Sequence, residues 1–250
     1  MAHGCPGVSD PRAIDLLRRA TAEAVGTGLL LATVVGSGIM AERLAGGNVA
    51  IALLANTIAT GAALVALILT FGPISGAHFN PAVTLADASQ GGLRWSDVPT
   101  YIVAQLVGAF AGVATAHVMF ELSLFSASRH ARAGAAQMFS EFVATFGLLA
   151  VIWGCARFRA PAVPFAVGGY ITAAYWFTAS TSFANPAVTL ARAASDTFAG
   201  IRPTDAPGFV AAQLIGAAVA TWLFRWLLPP LAEAAPKVLQ RSERLDKIDF

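Results

Sequence analysis

Residues 80–86 and 185–191 carry one sequence twice, Asn-Pro-Ala-Val-Thr-Leu-Ala, at an offset of 105 (185 against 80). Asparagine is a favoured helix N-cap, because its side-chain oxygen accepts a first-turn N–H. Proline suits the next position, because its missing N–H had no partner there. Each copy therefore opens a helix, with Pro81, Ala82, Pro186 and Ala187 in structural roles. The side-chain amides of Asn80 and Asn185 remain able to offer donors to the oxygen of a solute.

Other polar residues repeat as well. Gln105 and Gln213 sit in matching Ala-Gln-Leu segments at an offset of 108 (213 against 105), and a weaker echo pairs Glu23 with Glu141. An acid inside an apolar stretch suggests a proton or ion path. The symmetry of this pair suggests instead that Glu23 and Glu141, with the two glutamines, hold the N–H groups of the loops before the two short helices. His78, beside the first motif, has either a fixed hydrogen-bond role or the role of a pH sensor; His117 and His130 belong to no motif. Cys5 and Cys155 lack partner spacing for zinc or a disulfide framework and read as free thiols. With no nucleophile beside a base, no metal set and no phosphate-binding glycine loop, an enzyme is not expected, nor a cofactor.

The elements that position these residues are membrane spans. Hydrophobic residues make up 56% of the chain and charged ones 12%, against about 25% charged in a soluble domain, and the mean hydropathy is +0.66. A net charge of +2 with no basic face excludes nucleic acid as a partner. Apolar runs near 20–40, 48–71, 99–121, 137–157, 163–181 and 207–228 are long enough to cross hydrocarbon. The runs after the two motifs, Ala82 to Ala88 and Ala187 to Ala194, are not, which argues for half-helices that enter from one face and stop near the middle. Three spans per half is an odd number, so duplicated halves lie in opposite orientations as an inverted repeat. The fold expected is all-α: six transmembrane helices plus two re-entrant half-helices whose N-termini meet at the midplane.

Boundaries follow from the same pattern. Residues 1–17 read as a cytoplasmic leader without the features of a cleavable signal, 18–228 as one channel domain, and 229–250 as a cytoplasmic tail. The first repeat covers about 18–121 and the second about 137–228. Of the Lys and Arg residues, eleven fall in the termini and even-numbered loops and five in the odd-numbered loops, which places both termini in the cytoplasm. Two facing helix N-termini, each carrying about half a positive charge, oppose cations and let neutral molecules pass. A secondary transporter shares the inverted repeat but needs converging ionisable groups at the midplane, and only Glu23 and Glu141 are available.

The stretch Ser75 to Thr84, Ser-Gly-Ala-His-Phe-Asn-Pro-Ala-Val-Thr, resembles the first signature of the aquaporin and aquaglyceroporin family, and the second Asn-Pro-Ala falls where that family has its own. The resemblance covers about residues 18–228. It implies a right-handed bundle with one pore per subunit, a homotetramer in lipid, and passage of water or small neutral solutes. The subgroup it is most similar to is that of bacterial channels associated with arsenic handling, which implies the inner membrane of a bacterium and permeants such as glycerol or arsenous acid.

The chain departs from that family at the outer filter. Most members have arginine directly after the second Asn-Pro-Ala; here the residue is Val188. The family's other filter positions map to Thr60, often aromatic elsewhere, to Ser182, and to Tyr175 or Ala173 depending on how the preceding loop is counted. Val188 and Thr60 predict a wider, less polar filter and a weakened exclusion of cations, whereas an occluding Tyr175 would favour a water-selective pore. Tyr175, Trp176 and Phe177 are also candidates for interfacial anchors. Asp87 and Arg192 stand seven residues after their asparagines, at opposite pore mouths. For Arg192 the expected role is a salt bridge or a solvated face, with partial replacement of the filter charge as the other reading.

Overall fold

The computed structural model describes residues 14–228, so the tail, Cys5 and most of the leader lie outside the described residues. Eight α-helices follow in order: α1 (Leu16–Leu44), α2 (Val49–Ser75), α3 (Pro81–Ser89), α4 (Val98–Met119), α5 (Ala135–Phe158), α6 (Val163–Phe177), α7 (Pro186–Arg192) and α8 (Ala206–Leu227). No strand occurs among the described residues. Local chemistry sets several starts. The Asp15 carboxylate accepts from Leu17 N at 2.8 Å, and the Asn48 side chain accepts from Ala50 N and Ile51 N.

Five helices (α1, α2, α4, α5 and α8) are long and apolar enough to cross a membrane. The sixth, α6, corrects the expected span over 163–181. It has 15 residues, about 22 Å at 1.5 Å rise per residue, and ends at Phe177. A 3₁₀ turn, Ala160–Ala162, leads into it. Its last turn closes on Thr178, whose hydroxyl donates to Ala174 O at 2.6 Å. The next residue is held off the helix axis by α5: Ser140 Oγ accepts from Ala179 N, and Gln137 Nε2 donates to Ala179 O. Past Phe177 the residues are small and mostly polar, Thr178, Ala179, Ser180 and Thr181, and the helix stops where the backbone groups of Ala179 find partners on α5.

Packing follows an approximate twofold. α1 packs on α4 and α2 as α5 packs on α8 and α6, α2 meets α6 across the axis, and each of the short helices α3 and α7 rests on both α4 and α8. The tightest crossings rely on the repeated glycines. A Cβ on Gly108 would be driven into the carbonyl oxygen of Ala24 on α1; on its repeat counterpart Gly216 it would come within 2.5 Å of Phe142 O on α5. Without a hydrophobic drive between helices in lipid, close backbone approach supplies the dispersion contacts that hold the bundle. Gly108→Ala is expected to destabilise the folded protein by about 1–3 kcal/mol, the usual cost of overpacking, and a lowered thermal midpoint in detergent checks this.

Candidate functional site

The two short helices meet head to head. Asn80 Oδ1 caps α3 by accepting from Ala82 N at 2.9 Å, and Asn185 Oδ1 caps α7 by accepting from Ala187 N at 2.9 Å and Val188 N at 3.3 Å. Each asparagine then donates one amide hydrogen to the other repeat. Asn80 Nδ2 reaches Ala184 O and Asn185 Nδ2 reaches Phe79 O, both at 2.7 Å. A primary amide has two hydrogens, so each asparagine keeps one, and both residues border the central cavity of about 370 Å³.

The approaches to both caps are held from behind by the paired acids. Glu23 accepts from His78 N (2.9 Å), Phe79 N (2.7 Å), Ser75 Oγ (2.6 Å) and Gln105 Nε2 (2.8 Å). Glu141 accepts from Phe183 N (2.9 Å), Ala184 N (2.8 Å) and Gln213 Nε2 (2.6 Å). Both acids are fully buried. With two successive N–H groups in each segment drawn to one buried acid, the segments before the caps are neither ordinary helix nor strand. Ala77 and Phe79, and their counterparts Ser182 and Ala184, take φ between 49° and 50°, a left-handed conformation that non-glycine residues keep only where their surroundings fix it.

Two threonines complete the scaffold, although only the asparagines, glutamates and glutamines drew notice in the sequence. Thr84 Oγ1 donates to Asn80 O and accepts from Gln105 Nε2, and Thr189 Oγ1 does the same with Asn185 O and Gln213 Nε2. Being the fourth non-capping partner of an exact repeat was the available signal. His117 had no such signal. Its Nδ1 faces the carbonyls of Ser123 and Leu124, so it carries the hydrogen, and Nε2 accepts from Ser195 Oγ at 2.8 Å. That contact ties the end of α4 to the segment after α7. The loop between α4 and α5 is pinned to the same segment: Asp196 accepts from the backbone and the guanidinium of Arg129, which together hold its carboxyl below the usual carboxylate range.

The cavity runs past both caps. At one end it is bordered by Arg19, His78, Asp87 and Tyr101, and at the other by Thr60, Tyr175, Ser182, Phe183, Val188 and Arg192. The two ends are chemically unlike although the repeat relates them. His78 Nε2 lies 3.5 Å from Asp87 and its Nδ1 3.2 Å from Thr84 Oγ1, and its ring tilts against Tyr101. At the counterpart positions Phe183 meets Phe209 edge-on, and the Arg192 guanidinium carbon lies 3.4 Å from the Phe183 ring centroid.

Of the two alternatives on α6, Tyr175 borders the cavity and is 3% exposed, whereas Ala173 faces outward. Trp176 and Phe177 are exposed on the outside of the bundle. Tyr175 OH lies 3.3 Å from Thr60 Oγ1, so the ring's polar end is joined to α2, the helix that packs on α6. The expected salt bridge or solvated face for Arg192 is not found. The residue is 2% exposed, has no carboxylate within salt-bridge distance among the described residues, and donates from Nε to Ala199 O.

Residues 11–162 match the major intrinsic protein family. The chain is similar to aquaglyceroporin AqpS of Rhizobium meliloti (strain 1021), 59% identical over 228 residues that cover 91% of this chain and 96% of the relative. It is also similar to the probable aquaporin AqpM of Archaeoglobus fulgidus, 32% identical with 86% of this chain and 98% of the relative covered. Among solved structures, the aquaglyceroporin of Plasmodium falciparum has the same fold, with a TM-score of 0.67 at 23% identity over 86% of this chain and 98% of that one.

Proposed function

The chain belongs to the major intrinsic protein family, and from that premise we propose that it conducts small uncharged solutes through an outer constriction widened by Val188. The protein is a multi-pass membrane channel of the aquaglyceroporin kind. The finer reading is that its permeants are glycerol-like polyols, neutral metalloid acids such as arsenous acid, and water.

The observation that carries this reading is the lining of the outer end. Thr60, Tyr175, Ser182 and Val188 border the cavity together, and the Thr60 contact holds the Tyr175 hydroxyl to one wall. Val188 on the same lining is smaller than an arginine and leaves volume that a guanidinium would fill. The polar atoms that remain, the Thr60, Tyr175 and Ser182 hydroxyls and the spare amide hydrogens of Asn80 and Asn185, suit a solute rich in oxygen and without charge. The name of the AqpS relative, an aquaglyceroporin, supports the same direction.

Glu23, Glu141 and His78 act in this reading as loop supports. Both acids are filled by donors, which leaves no converging pair for ion coupling of the kind a secondary transporter needs. The distribution of Lys and Arg supports cytoplasmic termini in a bacterial inner membrane. The exposed apolar flanks, Trp222 and Trp226 among them, suit lipid and the neighbours of a homotetramer.

Stopped-flow measurements on proteoliposomes test the proposal. Rapid swelling in glycerol and arsenous acid gradients is expected, together with osmotic shrinkage in an impermeant solute. Water flux without solute entry would replace this reading with that of a water-selective pore.

A further inference from the structure

We propose that Arg192 is the fixed positive charge of the outer constriction, supplied from one helical turn beyond the place where Val188 stands, and that it keeps cations out of a pore that admits neutral solutes. The inference rests on reading the outer end of the cavity as the constriction.

Three observations carry it. The first is helical geometry. Residues four apart share a helix face and side chains lean toward the N-terminus, so on α7 the Arg192 side chain reaches back over Val188. The contact with Phe183 shows the reach: the guanidinium lies on the ring of the residue next to Ser182, and Ser182, Phe183, Val188 and Arg192 all border the cavity. The second is the state of the donors. Nε is bonded to Ala199 O, while the two terminal nitrogens have no protein acceptor among the described residues, and Arg192 borders the cavity. Ser182 Oγ beside it is also buried without a partner.

The third is the absence of neutralisation. The charged neighbours on this face are already engaged. Arg132, whose guanidinium lies 5.1 Å from the Phe183 ring centroid, is a second buried cation, but it donates to Gly200 O and Ser180 O and is not among the residues that border the cavity, and Asp196 is paired with Arg129 at 2.7 Å. Glu141 is filled by Phe183 N, Ala184 N and Gln213. At the other end of the cavity the counterpart of Arg192, Asp87, faces His78. The repeat therefore places an unpaired cation at the outer end of the cavity and an acid with a histidine partner at the inner end. A solute entering from outside meets donors and a positive potential before it meets the capping asparagines.

Reconstituted full-length protein tests this in one preparation, with potassium current across bilayers and glycerol-driven swelling of liposomes measured side by side. Wild type is expected to swell without current. Arg192→Met is expected to raise the potassium current roughly tenfold or more, given the Coulomb energy of a unit charge acting over a few ångströms at an intermediate dielectric, with the swelling rate read beside it only to show that the variant is folded and inserted. Arg192→Lys, which keeps the charge, is expected to stay closed to potassium, whereas a purely structural role for the Nε contact with Ala199 predicts a leak in both variants. In the double variant Val188→Arg with Arg192→Met the charge returns to α7 one turn earlier, and the current is expected to fall again. A current in wild type, no current in Arg192→Met, or a leak in Arg192→Lys equal to that of Arg192→Met overturns the proposal. Wild-type swelling beside any of these leaves the neutral-solute reading standing, while absent swelling counts against that reading alone.

Discussion

Glu141→Leu is expected to abolish accumulation of folded protein. The carboxylate accepts from Phe183 N, Ala184 N and Gln213 Nε2 in a fully buried site. Leucine fills a similar volume and accepts nothing, so three donors lose their partner together. A buried donor left unsatisfied costs about 1–3 kcal/mol, and the sum is comparable to the whole stability of an ordinary domain, about 5–15 kcal/mol. The damage spreads because the same N–H groups keep Ser182 and Ala184 in left-handed backbone. Once they are released, Ala184 O moves away from Asn80 and the junction of the two short helices opens. The measurement is the yield of monodisperse protein after detergent extraction. Glu23→Leu is expected to behave alike, since Glu23 holds His78 N and Phe79 N in the other half. Glu141→Gln keeps one acceptor oxygen and is expected to fall between the variant and wild type, an ordering that a role in proton conduction does not predict.

That pairing shows which parts of the fold were legible from residues alone. Helix starts with Asn followed by Pro are local chemistry, so the starts of both short helices are legible to within a residue, while α7 ends at Arg192, two residues before the end of the apolar run. The partners of Glu23 and Glu141 were legible for a different reason: a duplicated chain reports each buried contact twice. Thr84 and Thr189 were in the repeat and open to the same argument. The end of α6 was not legible, because hydropathy cannot separate a membrane span from a loop buried inside protein. The helix stops at Phe177 because Ala179 O accepts from Gln137 Nε2 and Ala179 N donates to Ser140 Oγ.

The filter was partly legible. Counting residues back from Asn185 gives Ala173, since it assumes a constant loop length, whereas anchoring on Gly168 gives Tyr175. The inward set Ile171, Ala174 and Tyr175, spaced three and four apart, decides between them, and that spacing is a helix property readable before any count. Arg192 shows the opposite failure. Symmetry places it opposite Asp87, and the expected role is a salt bridge or a solvated face, but the position that holds His78 in the first repeat holds Phe183 in the second, and the guanidinium lies on that aromatic face. Sequence symmetry predicts positions; the chemistry at each position depends on residues that have diverged.

Val188→Arg is the second change with a large expected effect. Val188 is 5% exposed and borders the cavity together with Tyr175 and Thr60, whose hydroxyls meet. An arginine there adds bulk to the narrow outer end and puts a second guanidinium near that of Arg192, one turn away on α7. The two charges repel, so the new side chain is directed across the cavity rather than along the helix. Glycerol must then pass a gap its three carbons no longer fit, whereas a water molecule loses only part of its cross-section and gains donors. Glycerol entry is expected to fall about tenfold or more, equivalent to a barrier raised by about 1.4 kcal/mol, with water permeability reduced far less. Stopped-flow swelling in glycerol, set against shrinkage in an impermeant solute, reads both rates. Equal loss of both would mean that the added side chain plugs the pore, and unchanged glycerol entry would mean that the constriction lies elsewhere, at the junction of Asn80 and Asn185. The ratio of the two rates therefore locates the narrowest point of the channel.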